Sequence, residues 1–311
     1  MRKPYLNLAL SMILVGLSVP ASKVIVAHVP PLTAAWLRFA MVAVLLAPVL
    51  LRGGRAALPA NARDWTSLTL LALTGMVLFN MFLLSGLRAT SAVAAGIITS
   101  TIPAMTALAA ALILRERVSA GGLGAIALAV LGILALNLGP GGGSGGTAES
   151  MPGNALVFGA VVSEALYGVF ARRLGGRLPP LALTFLANLL SFAMMTPAAL
   201  ATMDGFDPGA VPAPVWALFV LSGLAGGLVA VVLWMRGIAH VPASRAGLFT
   251  GLIPAAGVLA AVLFLGESFT LAHAAGLGCV LLGIALGTGA LGPRPAAEDA
   301  GCNKKQGERG E

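Results

Sequence analysis

The sequence predicts an all-α integral membrane protein of ten transmembrane helices, arranged as two inverted five-helix repeats. Three observations carry this expectation: the composition, a self-repeat at fixed offset, and the sidedness of the basic residues. The chain is 58% hydrophobic and 10% charged, with a mean hydropathy of +0.96. A soluble domain carries about 25% charged residues, so this chain cannot supply a water-facing exterior. The formal charge of +8 suggests nucleic acid only until its placement is read. The basic residues cluster at the ends of apolar segments, which makes the partner a lipid bilayer and excludes nucleic acid.

The self-repeat is the sharpest signal. Residues 92–104 read AVAAGIITSTIPA and residues 243–255 read ASRAGLFTGLIPA. From 92–116 against 243–267 there are 13 identities in 25 positions without a gap. Alanine and leucine inflate the count, but Gly96/Gly247, Thr99/Thr250, Pro103/Pro254 and Glu116/Glu267 are not bulk residues. The same offset of 151 carries Gly86 onto Gly237 and Gly132 onto Gly283. Two copies of one unit in an apolar chain are a signature of transporters, with the working site where the copies meet.

Taken in order with windows of about 20 residues, the first span covers 6–26. Its start, MRKPYLNLALSMILVGLSVPAS, has the form of a signal peptide. However, residues 30–32 (PPL) recur at 179–181, which places the segment in the repeating fold. The second span, 33–51, ends at Arg52, and 66–86 and 91–114 follow with a short connection. The fifth span, 119–138, completes a first repeat of residues 1–138. Residues 139–152 are a flexible Gly/Ser-rich linker (GPGGGSGGTAESMP). The second repeat, 153–292, holds spans at 153–171, 181–201, 214–235, 243–265 and 270–290. Residues 293–311 turn polar, with four basic and four acidic residues, and read as a disordered tail.

With both termini inside, 16 of the 19 Lys and Arg residues fall on cytoplasmic segments, helix ends or the tail. Arg88 alone lies outside, while Lys23 and Arg38 fall within or near the outer ends of spans. Inverting the chain would reverse this positive-inside pattern. Five spans per copy is odd, so the second copy enters from the opposite side. Trp36, Trp65, Trp216 and Trp234 fall near span ends, where an aromatic belt is expected.

These segments resemble the drug/metabolite transporter superfamily, specifically its EamA-type branch. The resemblance rests on GLRATSAVAAGIITSTIPA (86–104), LRERVS (114–119), GIAHVPASRAGLFTGLIPA (237–255), LGESFT (265–270) and VPPLTAAWLRF (29–39). It covers nearly the whole chain to about residue 290. It implies the ten-helix fold and the export of amino acids and other small polar metabolites.

A polar solute needs partners at mid-membrane depth, where free backbone groups are normally absent. Pro103 cannot donate to the carbonyl of Thr99, four residues earlier, nor Pro254 to that of Thr250. Each pair therefore offers a freed carbonyl and a hydroxyl on a kinked helix. The competing reading is that the prolines only bend helices and the threonines bond their own backbone. Glu164 lies about 15 Å into the sixth span, near the midplane, where an acidic group costs at least a few kcal/mol unless paired or hydrated. Tyr167 shares its helical face. Glu164 is thus a candidate for a substrate amino group or for proton coupling, or else for a structural hydrogen bond or ion pair, with Arg38 of the second span as a candidate partner. In many members of the family that the chain resembles, the related position is aromatic, and this departure leaves proton coupling open.

Asn80, Ser18, Ser22 and Asn188 either line a pathway or bond between helices. Lys23 and Arg38 either attract anionic groups at the outer mouth or snorkel. Glu116 and Glu267 precede Ser119 and Thr270, the expected N-caps of the following spans, and read as capping and dipole residues. Gly223/Gly227 and Gly283/Gly287 have GxxxG spacing, which argues close helix packing and also admits a homodimer.

Enzyme readings lack support. His28, His240 and His273 lie far apart, and no HExxH, GxSxG or Walker motif occurs. Cys279 and Cys302 form no metal or disulfide pattern, and no cofactor is expected. The expectation is therefore a multi-pass inner-membrane protein that exports small polar metabolites by alternating access. Its candidate substrate-binding residues are Thr99, Pro103, Thr250, Pro254, Glu164, Tyr167 and Asn80. Efflux of cationic or lipophilic toxic compounds is the nearest rival, with a membrane-embedded enzyme or receptor more distant.

Overall fold

A computed structural model describes residues 2–53, 58–115, 120–138, 150–174, 177–238 and 249–287. The bulk of the linker, the polar tail, Glu116, Ser119, His240, Arg245 and Gly247 lie outside the described residues. Among the described residues the secondary structure is helical. Seven helical segments are long and apolar enough to cross a membrane, and three shorter apolar helices accompany them.

The helices are α1 (Arg2–Val26), α2 (Pro31–Gly53), α3 (Ala62–Ala72), α4 (Phe79–Leu87), α5 (Ala92–Thr99), α6 (Ile102–Leu114) and α7 (Ala120–Leu138). They continue with α8 (Met151–Leu174), α9 (Pro180–Ala201), α10 (Ala213–Leu224), α11 (Ala230–Ile238), α12 (Leu252–Leu265) and α13 (Leu271–Gly287). The third and eighth spans are not uniform α-helices. Leu73–Leu78 joins α3 to α4 in π geometry, and Ala225–Val229 does the same between α10 and α11. Such π turns are rare and concentrate at functional sites. They stand at equivalent places in the two halves.

The surface polarity is the reverse of a soluble protein's. Val44, Leu112, Phe264 and Leu271 are 72–85% exposed. Ser11, Ser22, Thr33, Asn80, Asn188 and Ser191 are buried. An apolar exterior over a partly polar interior suits lipid as the solvent. Not every expected interface residue is on that exterior. Trp36 stacks on Phe192 at 5.1 Å and its indole N–H donates to Thr196 Oγ1 at 2.9 Å, so it joins α2 to α9 inside the bundle.

Helix packing follows the glycines, because bilayer helices associate by close backbone approach. A Cβ on Gly132 of α7 would lie 3.1 Å from the Gly276 carbonyl oxygen of α13. One on Gly283 of α13 would lie 3.4 Å from the Ala125 carbonyl oxygen of α7. The offset of 151 carries one contact onto the other. Likewise Gly86 abuts Val157 and the Gly153 carbonyl, and Gly237 abuts Leu8 and the Pro4 carbonyl. Gly75 lies under Tyr167, and Gly226 faces Ser18. In these pairs α1 and α8 exchange roles at the offset of 149 seen in the PPL repeat. The GxxxG glycines Gly223 and Gly227 pack within the chain: Gly223 against Met41, and Gly227 where an added Cβ would lie 3.2 Å from Val42.

Gly75→Val should therefore destabilise the fold by about 1–3 kcal/mol, the usual cost of overpacking, because the Tyr167 side chain occupies the space of the new Cβ. Thermal unfolding in detergent micelles checks it; an unchanged midpoint would mean α8 is not seated on this turn.

Candidate functional site

The fourth span breaks where the sequence predicts only a kink. α5 stops at Thr99, Ser100 and Thr101 form a turn, and α6 starts at Ile102. Pro103 falls in the first turn of α6, where its missing N–H costs nothing, which is why a break replaces a strained kink. The hydroxyls close the turn locally. Thr99 Oγ1 donates to the Ala95 carbonyl at 2.8 Å, with Gly96 at 3.1 Å, and Thr101 Oγ1 donates to Ile98 at 2.7 Å. Thr99 thus spends its proton on its own helix and offers a ligand only lone pairs. In the second half Thr250 sits in a 3-10 turn, Phe249–Gly251, and α12 begins just before Pro254. The two prolines differ in surroundings: Pro103 is exposed and Pro254 is buried.

Glu164 lies on the stripe of α8 that includes Val157, Ala160 and Val161, all fully buried. It therefore faces the bundle rather than lipid. It is half-buried, and no hydrogen bond or ion pair to it occurs among the described residues. Arg38, its expected partner, is engaged elsewhere. An Arg38 Nη2 donates to Asn80 Oδ1, while Asn80 Nδ2 donates to the Met76 carbonyl at 2.8 Å inside the π turn. Arg38 neither snorkels nor pairs with Glu164. Tyr167 packs over Gly75 on the same π turn. The register of α8 against this span, Gly86 by Val157 and Gly75 by Tyr167, sets Glu164 level with the Leu78–Phe79 step. That is within about one turn of Asn80 along the axis.

Other polar candidates are satisfied within their own helices. Ser18 Oγ donates to Val15 at 2.6 Å and Asn188 Nδ2 donates to Thr184 at 2.8 Å.

The acid that local sequence assigned to the following helix works elsewhere. Glu267, just past α12, accepts from the backbone N–H groups of Ala92 at 2.9 Å and Val93 at 2.8 Å, the first turn of α5. Ser91 Oγ accepts the next N–H, from Ala94, at 2.9 Å. Lys23 Nζ, near the end of α1, lies 3.0 Å from Glu267 Oε1 and donates to the Thr90 carbonyl at 2.7 Å. One carboxylate thus satisfies two orphan helix donors, complements the helix dipole and binds a lysine. Thr270 is the cap of α13 as expected, with His273 as its reciprocal partner rather than an acid. The Lys23–Glu267 cluster joins α1, α5 and α12, and so ties the two sequence halves together on one face. A second ion pair joins other elements: Arg177 Nη1 meets the buried Asp64 at 2.5 Å, linking α3 to the segment before α9. No sequence pattern marks this last pair, because its members stand 113 residues apart.

The EamA-like transporter family model matches residues 2–138 and 151–288. The uncharacterized transporter YetK of Bacillus subtilis (strain 168) is 32% identical over 280 residues, which is 90% of this chain and 85% of that protein. An uncharacterized transporter of Archaeoglobus fulgidus is 28% identical over 91% of this chain and 97% of its own. A solved crystal structure shares the fold with a TM-score of 0.62 at 21% identity, covering 90% of this chain and 94% of that one. The apolar exterior, the helical bundle and these matches agree, and this multi-pass membrane protein belongs to the EamA-like transporter family.

Proposed function

We propose that the chain is an inner-membrane secondary transporter that exports small polar metabolites, amino acids or related compounds, by alternating access. Glu164 carries this reading: a carboxylate on the bundle-facing stripe of α8, without a protein partner among the described residues, is an expensive placement unless a ligand or proton uses it. Thr99, Pro103, Thr250, Pro254, Tyr167 and Asn80 complete the proposed site. The broken fourth span and the 3-10 turn Phe249–Gly251 of the ninth support it, since irregular backbone at membrane depth is tolerated where it lines a cavity or is buried in protein.

The glycine contacts that recur at offsets of 151 and 149 support two inverted five-helix units, 1–138 and 153–292, rocking about the central site. The cytoplasmic termini follow from the basic-residue pattern, and put the Lys23–Glu267 cluster on the outer face. In this conformation that cluster holds the outer ends together. Mass spectrometry of the medium from cells expressing the chain or an empty vector tests the export reading. Enrichment of one or a few amino acids is expected; matching media would remove it.

Efflux of lipophilic compounds has one observation in its favour. A half-open apolar groove of about 300 Å³ lies on the bundle's exterior between α1, α10 and α12, lined by Leu14, Leu17, Val24, Leu221 and Phe264 among others. A resistance spectrum against lipophilic cations separates the two readings: protection is expected from the rival and none from the metabolite exporter.

A further inference from the structure

Arg38 is the observation that the proposed site leaves unused. It stands seven residues beyond Pro31, roughly 10 Å along α2 from the Lys23–Glu267 face. A cation at that depth needs a counter-charge. No ion pair to Arg38 occurs among the described residues, and its hydrogen bond goes to the neutral amide of Asn80. A guanidinium has five N–H donors, so most of this one is unclaimed by protein. The same side chain lines a narrow cavity with Ser22, Leu84, Phe219 and Ser222. At about 10 Å³ the cavity has room for about one water-sized group, enough to give the guanidinium an open side in this conformation. The equivalent place in the second half is Ala187, so the charge occurs once, as Glu164 does opposite Val15.

We infer that Arg38, fixed by Asn80 and sharing its cavity with Ser22 and Ser222, is the binding site for a carboxylate group of the transported solute. The inference rests on the transporter reading and narrows its substrate class. The planar fork of guanidinium matches a carboxylate bidentately. One positive charge with neutral neighbours balances a monoanion, whereas a dianionic phosphate would bring a second charge that no described group neutralises. Asn80 holds the guanidinium on one side, which leaves the other edge to the ligand. Glu164, at a similar depth, is then free to meet a positive group on the same solute, and a zwitterion satisfies both.

The test uses the full-length chain in detergent micelles, with the twenty common L-amino acids and their α-carboxamides as probes. Thermal stabilisation reports binding. One or more free acids should raise the unfolding midpoint while the matching carboxamides do not. Arg38→Gln should weaken the effective acids by about 10- to 100-fold, as expected for loss of a charge-assisted bond. Arg38→Lys keeps the charge without the fork, so acid preference should survive with affinity about tenfold lower. It carries the test should the glutamine variant fail to fold.

Equal stabilisation by acids and carboxamides, no stabilisation by any free acid, or unchanged acid affinity in the variants would overturn the assignment. Cells that release neutral or cationic solutes through the wild-type protein would separate the outcomes: transport would stand while the role of Arg38 fell.

Discussion

Glu164→Gln is expected to cut solute release at least tenfold, to near the empty-vector level, without loss of membrane insertion. Glutamine keeps the size and the hydrogen-bonding capacity but removes the charge. The carboxylate has no protein partner among the described residues, so no ion pair is broken by the change. Thermal stability should accordingly hold or rise, because a charge inside an apolar bundle costs a few kcal/mol unless paired or hydrated. A structural role predicts the opposite pair of results, with lower stability and release that follows protein abundance. Measuring release and unfolding midpoint on the same preparations distinguishes them.

The second large effect concerns the outer face. Glu267→Ala removes the lysine partner and leaves the Ala92 and Val93 N–H groups at the α5 terminus unbound. Each charge-assisted hydrogen bond is worth about 1.5–3 kcal/mol, and 1.4 kcal/mol is tenfold in a population. The fraction of molecules open at this face should rise at least tenfold. A cysteine at Ser22, buried beneath the cluster, in a background lacking Cys279 and Cys302, reports the opening. A membrane-impermeant maleimide added outside should label it at least ten times faster in Glu267→Ala. Equal labelling rates would mean that the cluster stabilises helix ends without controlling access. Lys23→Met, which leaves the capping bonds intact, should give a smaller acceleration.

The repeat was legible because glycine, proline and glutamate are rare enough at matching positions to exceed an Ala/Leu background. Its glycines then turned out to sit where backbones touch, as Gly132 and Gly283 do. Seven of the spans were legible as helices long and apolar enough to cross a membrane, since hydropathy records which solvent surrounds a segment. Partners were not. Glu267 has a capping threonine three residues ahead, so local pattern assigned it to that helix, yet its carboxylate reaches a helix 174 residues away in sequence. Arg38 and Asn80 were both noticed singly, but nothing in either segment announces their contact.

The π turns were equally hidden. Gly75 and Gly226 weaken the α-helix slightly, and only the seating of the α8 and α1 side chains against them explains why the irregularity falls there. The break after Thr99 was half seen: Pro103 disfavours the helical bond, but nothing in the sequence announces that it falls in the first turn of a new helix, with the hydroxyls of Thr99 and Thr101 bonded to their own backbone at the turn.

The central claim is that a solute crosses the membrane through this chain without ATP, from a site that contains Glu164. Counterflow in proteoliposomes tests it most directly, using the amino acid most enriched in the medium. Wild-type vesicles preloaded with unlabelled solute should accumulate the labelled form well above protein-free vesicles, and Glu164→Gln vesicles should not. Wild-type accumulation no greater than that of protein-free vesicles would contradict the account.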